Sequence, residues 1–174
     1  MSIEKIKELV KKYFEEMESN NEFVPGTTQI STMGVPFGYE EANEAIDSIL
    51  STYVTMGKKV KKFEEMFANY IHTKHGIMVN SGSSANFLAL SVLTNPMLKN
   101  RIKPNEEIIT PSTTWVTTVY PIVNVGAVPV FVDVNLDFNI NPEIIENAIT
   151  EKTRAIMPVH LVGNPCDMKP IMEI

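Results

Sequence analysis

The sequence predicts an α/β fold built on a mostly parallel sheet with crossover helices, and three observations carry that prediction. Short β-rich runs recur at residues 107–110, 128–133 and 153–159. Helical patterns lie between them, at about 115–124 and 142–150, the second opened by Asn141 as N-cap and Pro142 in its first turn. The connections are short, so neighbouring strands pair in parallel through helices that cross over the sheet. A further apolar run, Ile77-Met78-Val79, is expected as the first strand of the same sheet, followed by a long helix to about Leu98.

Composition sets the outer bounds. A chain of 174 residues with 44% apolar content can bury a real core in one domain, or in one domain and part of another. Its net charge of −6 argues against non-specific nucleic-acid binding. The single Cys166 cannot form an internal disulfide, and no stretch has the apolar core of a signal peptide or a membrane span. The expectation is a cytoplasmic protein with no metal site and no nucleic-acid or membrane partner.

Taken in order, residues 2–20 place Ile3, Ile6, Leu9, Val10, Phe14 and Met17 on one stripe and charges of both signs on the other. This is an amphipathic helix docked on its own domain; a membrane anchor would carry a basic polar face. A Pro25-Gly26 turn breaks the pattern, and Met33-Gly34-Val35-Pro36-Phe37-Gly38 continues as an extended arm. Residues 1–38 are therefore set apart from a domain that begins at residue 39. Helical patterns follow at about 39–50 and 60–71. Between them Thr55-Met56-Gly57-Lys58-Lys59 forms a Gly-containing turn at a helix start, with two lysines that could reach an anion or simply be solvated.

The segment Asn80-Ser81-Gly82-Ser83-Ser84 is the centre of the functional reading. A small polar turn leading into a helix leaves free backbone N–H groups at the helix N-terminus, which favours an anion. Gly82 lets the backbone approach a ligand, and the hydroxyls of Ser81, Ser83 and Ser84 can turn toward phosphate oxygens. A plain helix N-cap explains the same residues. The dinucleotide and Gly-Lys-Ser/Thr phosphate motifs are absent, as is the second Gly of a hydrolase elbow. The helix from Asn86 to Leu93 carries too few charges to be solvated and is expected to pack under the sheet.

In parallel sheets ligands bind outside the carboxyl ends of the strands. Four such ends converge: residues 80–84, 111–115, 133–135 and 160–164. Trp115, the only tryptophan, could present a flat face to a planar ring, or could staple a helix N-terminus to the core. Asp133 could cap, orient or merely form a turn. His160 places an imidazole on a loop at the ligand edge.

Together these segments resemble a known family. Thr55-Met56-Gly57 with Val60 and Phe63-Glu64, Val79-Asn80-Ser81-Gly82-Ser83-Ser84-Ala85-Asn86, Thr110-Pro111-Ser112-Thr113-Thr114-Trp115, Pro129-Val130-Phe131-Val132-Asp133-Val134 and Pro158-Val159-His160-Leu161-Val162-Gly163-Asn164-Pro165-Cys166-Asp167-Met168 follow the order and spacing of the DegT/DnrJ/StrS family. That family comprises pyridoxal-phosphate-dependent enzymes acting on keto sugars of nucleotide sugars. The match covers roughly residues 23–174, and its specificity lies in the ordered set of motifs.

The resemblance implies the large domain of a fold-type-I aminotransferase, normally a homodimer, using pyridoxal 5'-phosphate or pyridoxamine 5'-phosphate. Carried onto this sequence, Gly82, Ser83 and Ser84 hold the cofactor phosphate and Trp115 stacks on the pyridine ring. Thr55 and Gly57 resemble the substrate-side turn, and His160 stands near the site without a role. Glutamate is the implied amino donor, in cell-surface polysaccharide or deoxyaminosugar synthesis. The Phe23-Val24-Pro25-Gly26 stretch and residues 91–104 look like the keto-deoxysugar 3-dehydratase branch, which places histidine where aminotransferases have lysine.

The family's Schiff-base lysine, its acid partner for the pyridine nitrogen and its small C-terminal domain match nothing here. The chain ends one turn into a helix without a C-cap signal, which reads as a truncation. Such a polypeptide is expected to lack catalytic residues of its own and not to transaminate. Two other readings are a non-catalytic fragment that needs a partner chain, and a hydrolase using Ser83 or Ser84 with His160, disfavoured by the missing elbow.

Overall fold

A computed structural model describes residues 2–19, 23–30 and 37–174. The chain forms two compact units, Met1–Met78 and Val79–Ile174.

The first unit is helical among its described residues. Helix α1 (Ile3–Ser19) packs on α2 (Tyr39–Leu50) through a half-buried stripe of Ile3, Ile6, Val10 and Phe14. Lys7 Nζ lies 2.7 Å from Asp47 Oδ2, and the Lys11 ammonium sits 5.3 Å over the Tyr39 ring. The hydrogen bond to Asp47 holds the Lys7 ammonium above its usual value. The sequence expectation of a helix docked on its own domain is met. Of the expected turn and arm, Val24 accepts the Thr27 N–H at 3.1 Å around Gly26 (φ 78°), whereas residues 31–36 lie outside the described residues.

Helix α3 (Lys58–Tyr70) completes this unit. At Gly76 an added Cβ would stand 2.7 Å from the Glu64 carbonyl oxygen, so only glycine lets the returning chain pass this close to α3. The expected strand at Ile77-Met78-Val79 is not formed. Strands need a ladder partner, and here the Met78 N–H donates instead to Glu64 Oε1 at 2.8 Å.

The second unit holds α4 (Gly82–Leu93), β1 (Glu107–Pro111), α5 (Val116–Asn124), β2 (Val128–Val132), α6 (Pro142–Ile145), β3 (Thr153–Ile156) and α7 (Met168–Glu173). The strands form a parallel sheet in the order β2-β1-β3, with Glu107 opposite both Val128 and Thr153. The predicted parallel α/β architecture is therefore present. Alternation along β1 divides the core in two. Ile109 faces Val132, Ile140, Ile145, Cys166 and Ile171, while Ile108 faces Leu90, Ile102, Ile122 and Ala127.

Several boundaries differ from the sequence expectation. Helix α4 stops at Leu93 because Thr94 ends it and Asn95 precedes Pro96, a position that disfavours helical geometry. It is also less covered than expected: Leu90 is buried, but Phe87, Leu88, Val92 and Leu93 are exposed. Helix α6 has the predicted Asn141 cap, whose side chain accepts the Glu143 N–H at 3.0 Å, but it tightens to a 3-10 turn over Glu146–Ala148. Strand β3 ends at Ile156, earlier than the predicted run.

Candidate functional site

The loop before α4 is built by its own hydroxyls. Ser81 is the N-cap, its Oγ accepting the Ser84 N–H at 3.2 Å, and Ser84 Oγ donates to Asn80 Oδ1 at 2.6 Å. These bonds hold the turn and leave the Gly82 and Ser83 amides, and the Ser83 hydroxyl, without an acceptor or partner among the described residues. An added Cβ on Gly82 meets no protein atom within 4 Å, and its φ is ordinary, so the fold itself does not demand glycine there.

Helix α4 is tied to α5 by a device that sequence reading missed. Pro121 lies inside α5 and has no N–H to give to the carbonyl of Thr117, four residues earlier. Asn86 Nδ2 donates to that carbonyl at 3.1 Å. The proline within a helical pattern was the available signal: it announces an orphan acceptor that something must satisfy.

Trp115 is the N-cap residue of α5 and is 72% exposed, so the alternative of an aromatic stapled to the core is not what the fold contains. Next to it the ends of β1 and β2 are laced together. The Ser112 N–H donates to the Val132 carbonyl at 2.8 Å, and Asp133 Oδ1 accepts from Ser112 Oγ at 3.4 Å and from the Val134 N–H at 2.8 Å. Asp133 thus caps and orients the strand end.

Beyond β3, the Met157 N–H donates to the Ile109 carbonyl at 2.7 Å and its own carbonyl accepts from Thr110 Oγ1 at 3.2 Å. This carries the chain to His160 at the same carboxyl edge. His160 Nδ1 accepts the Cys166 N–H at 3.0 Å, and the Cys166 thiol donates to the Val159 carbonyl at 3.0 Å. Asn139, buried and given no role by the sequence reading, donates to the Pro165 carbonyl at 3.1 Å.

Of the predicted site residues, Gly82, Ser83, Ser84, Trp115 and His160 all belong to the second unit, where three of the four expected strand ends follow true strands. Thr55 and Gly57 belong to the first. There they line a cleft of about 1200 Å³ with Tyr53, Val54, Met56 and Lys58. Lys59 is not free for an anion, since its Nζ lies 2.6 Å from Glu44 Oε2. Among the described residues no helix is long and apolar enough to cross a membrane, and no group of three His, Cys, Asp or Glu could hold a metal.

Residues 37–174 match the model of the DegT/DnrJ/EryC1/StrS aminotransferase family. The chain belongs to this family. Among its relatives, the dTDP-4-dehydro-2,6-dideoxy-D-glucose 3-dehydratase of Saccharopolyspora spinosa is 41% identical over 95% of this chain and 36% of its own length. A solved GDP-4-keto-6-deoxymannose-3-dehydratase with a trapped PLP-glutamate geminal diamine matches with a TM-score of 0.75 and 35% identity, over 83% of this chain and 38% of that one. A Streptococcus pneumoniae protein assigned as a sugar aminotransferase, in its PMP form, matches with a TM-score of 0.75 and 32% identity, over 84% and 36%. The present DegT-family chain thus spans little more than a third of the length of these relatives.

Proposed function

We propose that this chain is the cofactor-binding N-terminal part of a pyridoxal 5'-phosphate or pyridoxamine 5'-phosphate enzyme acting on a nucleotide-linked keto sugar. The observation that carries the reading is the cradle at Gly82 and Ser83. Two unpartnered amides and a free hydroxyl suit a phosphate at a helix N-terminus, and the open space above Gly82 suits a group seated against the backbone. Ser84, whose hydroxyl is bonded to Asn80, shapes the cradle and retains acceptor and backbone roles. The exposed Trp115 indole supplies the face for the cofactor ring, and the Asn86–Thr117 bond fixes α4 against the helix that Trp115 begins.

When bound, the cofactor supplies the electron sink for chemistry at the sugar carbon. The residues of this chain would bind and orient it: Gly82 and Ser83 would donate hydrogen bonds to its phosphate, and Trp115 would offer a face to its ring. Thr55 and Gly57 serve the substrate side. In this reading the full-length protein is a cytoplasmic homodimer that transfers an amine, with glutamate as donor, in cell-surface polysaccharide or deoxyaminosugar synthesis. A second reading, 3-dehydration of a 4-keto-deoxysugar, is favoured by the 41% identity to the S. spinosa dehydratase.

Pyridoxal 5'-phosphate is expected to quench the fluorescence of the single Trp115 saturably. The Ser83→Ala variant should weaken that binding about five- to tenfold, the worth of one or two hydrogen bonds to an anion. Absence of quenching at millimolar cofactor would falsify the reading.

A further inference from the structure

We infer that the cleft between α2 and α3 takes a nucleoside diphosphate, with Tyr53 stacking on the base and Lys58 and Lys61 meeting the diphosphate; the choice of ligand rests on the nucleotide-linked substrate proposed above. The cleft lies wholly within the first unit and measures about 1200 Å³. Small-molecule sites are commonly about 300–1,000 Å³, so this one has room for a ligand of several joined groups.

One wall of the cleft is apolar. Tyr53, Val54 and Met56 line it and are all exposed, Tyr53 to 61%. The Tyr53 ring is seated on Gly57, where an added Cβ would stand 3.0 Å from its Cδ1 and Cε1 atoms. The backbone at Gly57, with φ −121° and ψ −163°, is open to any residue, so this position serves the close approach of the ring and not a special turn. The ring is thus held along one edge while most of it stays accessible, and a fixed aromatic surface of this kind is one on which a flat base stacks.

The charges lining the cleft divide into engaged and free. Asp47 is held by Lys7 at 2.7 Å, Lys59 by Glu44 at 2.6 Å, and Glu64 accepts the Met78 N–H at 2.8 Å. Lys58 and Lys61, three residues apart on one face of α3, have no ion-pair partner among the described residues. With Glu64 the one lining carboxylate that lacks a cationic partner, these two ammonium groups leave the lining net positive, which suits a diphosphate. Inorganic phosphate alone would leave the apolar wall bare, and a neutral apolar ligand would leave the two lysines unused.

The test is calorimetric titration of the chain with GDP, dTDP and inorganic pyrophosphate. Wild type is expected to bind both nucleotides roughly tenfold or more tightly than pyrophosphate. Tyr53→Leu should lose that margin and leave pyrophosphate binding unchanged, and Tyr53→Phe, which keeps the ring, should retain it. Lys61→Gln should weaken all three ligands about five- to tenfold. Lys62→Gln, which alters a neighbouring lysine that does not line the cleft, should weaken none. An equal margin in wild type and Tyr53→Leu, or equal losses in the two lysine variants, overturns the assignment. In wild type, without recourse to a variant, the H8 proton of bound GDP should show nuclear Overhauser contacts to a 13C-labelled tyrosine ring, and their absence also overturns it. If the nucleotides fail to bind while pyridoxal 5'-phosphate still quenches Trp115, the cleft assignment falls and the cofactor reading stands. If they bind and the quenching is absent, the cleft assignment stands and the cofactor reading falls.

Discussion

Glu106 stands just before β1, where its carboxylate accepts the Lys103 N–H at 2.7 Å and the Arg154 Nε–H at 3.0 Å. The backbone hydrogen bond, with help from the Arg154 charge, holds its pKa below the usual 4.5. A carboxyl depressed in the folded state contributes stability that is present above its ordinary value and is lost as pH falls through the folded one. Urea denaturation from neutral pH downward should therefore show wild type losing stability below about pH 4.5 more steeply than Glu106→Gln. Parallel pH curves would remove Glu106 from the acid limb. This pairing was not legible in the sequence, because Glu106 and Arg154 meet only once β1 and β3 are in register. His160 and Trp115 were legible as positions at a strand end. What each touches, Cys166 in one case and solvent in the other, depends on how the loop closes and on which face of α5 is covered.

Between elements, the Asn86–Thr117 bond makes a prediction that uses the fold's own defect. Asn86→Ala leaves a half-buried carbonyl without a donor, at a cost of about 1–2 kcal/mol by chemical denaturation. Pro121→Ala returns a backbone N–H to the same carbonyl. In that background Asn86→Ala should cost about 0.5 kcal/mol or less, and the coupling between the two sites measures the shared acceptor. Additive effects would show that the bond contributes nothing of its own. At this scale the sequence was most informative where periodicity is internal to the element. The β-rich run at 107–110 foretold a strand where β1 stands, and Asn141-Pro142 foretold the start of α6. It misled at Ile77-Met78-Val79, because a strand is defined by a neighbour and an apolar run cannot reveal whether that neighbour is present. The early stop of α4 was written in Asn95-Pro96 and was outweighed by the apolar run before it.

Across the whole molecule, a large amount of apolar surface is left in water. On α3, Phe63, Met66, Phe67 and Tyr70 are all exposed at spacings that put them on one helical face, with Tyr70 82% accessible and the Phe63 and Phe67 rings stacked 5.8 Å apart. Single exposed apolar residues are ordinary, but a continuous face of this kind marks a surface that associates. The exposed face of α3 gives such association a location. Sedimentation velocity should show an average mass that rises with concentration. Replacing Met66 and Tyr70 together with lysine should reverse the rise, since both side chains project into solvent and lysine is a good helix former. Far-UV circular dichroism should stay unchanged, which separates loss of association from loss of the helix. A wild-type chain that sediments as one monomeric species over the micromolar range would show that this face is tolerated in water. Association that persists in the double-lysine variant would move the responsible surface away from α3, to the exposed side chains of α4 and α5.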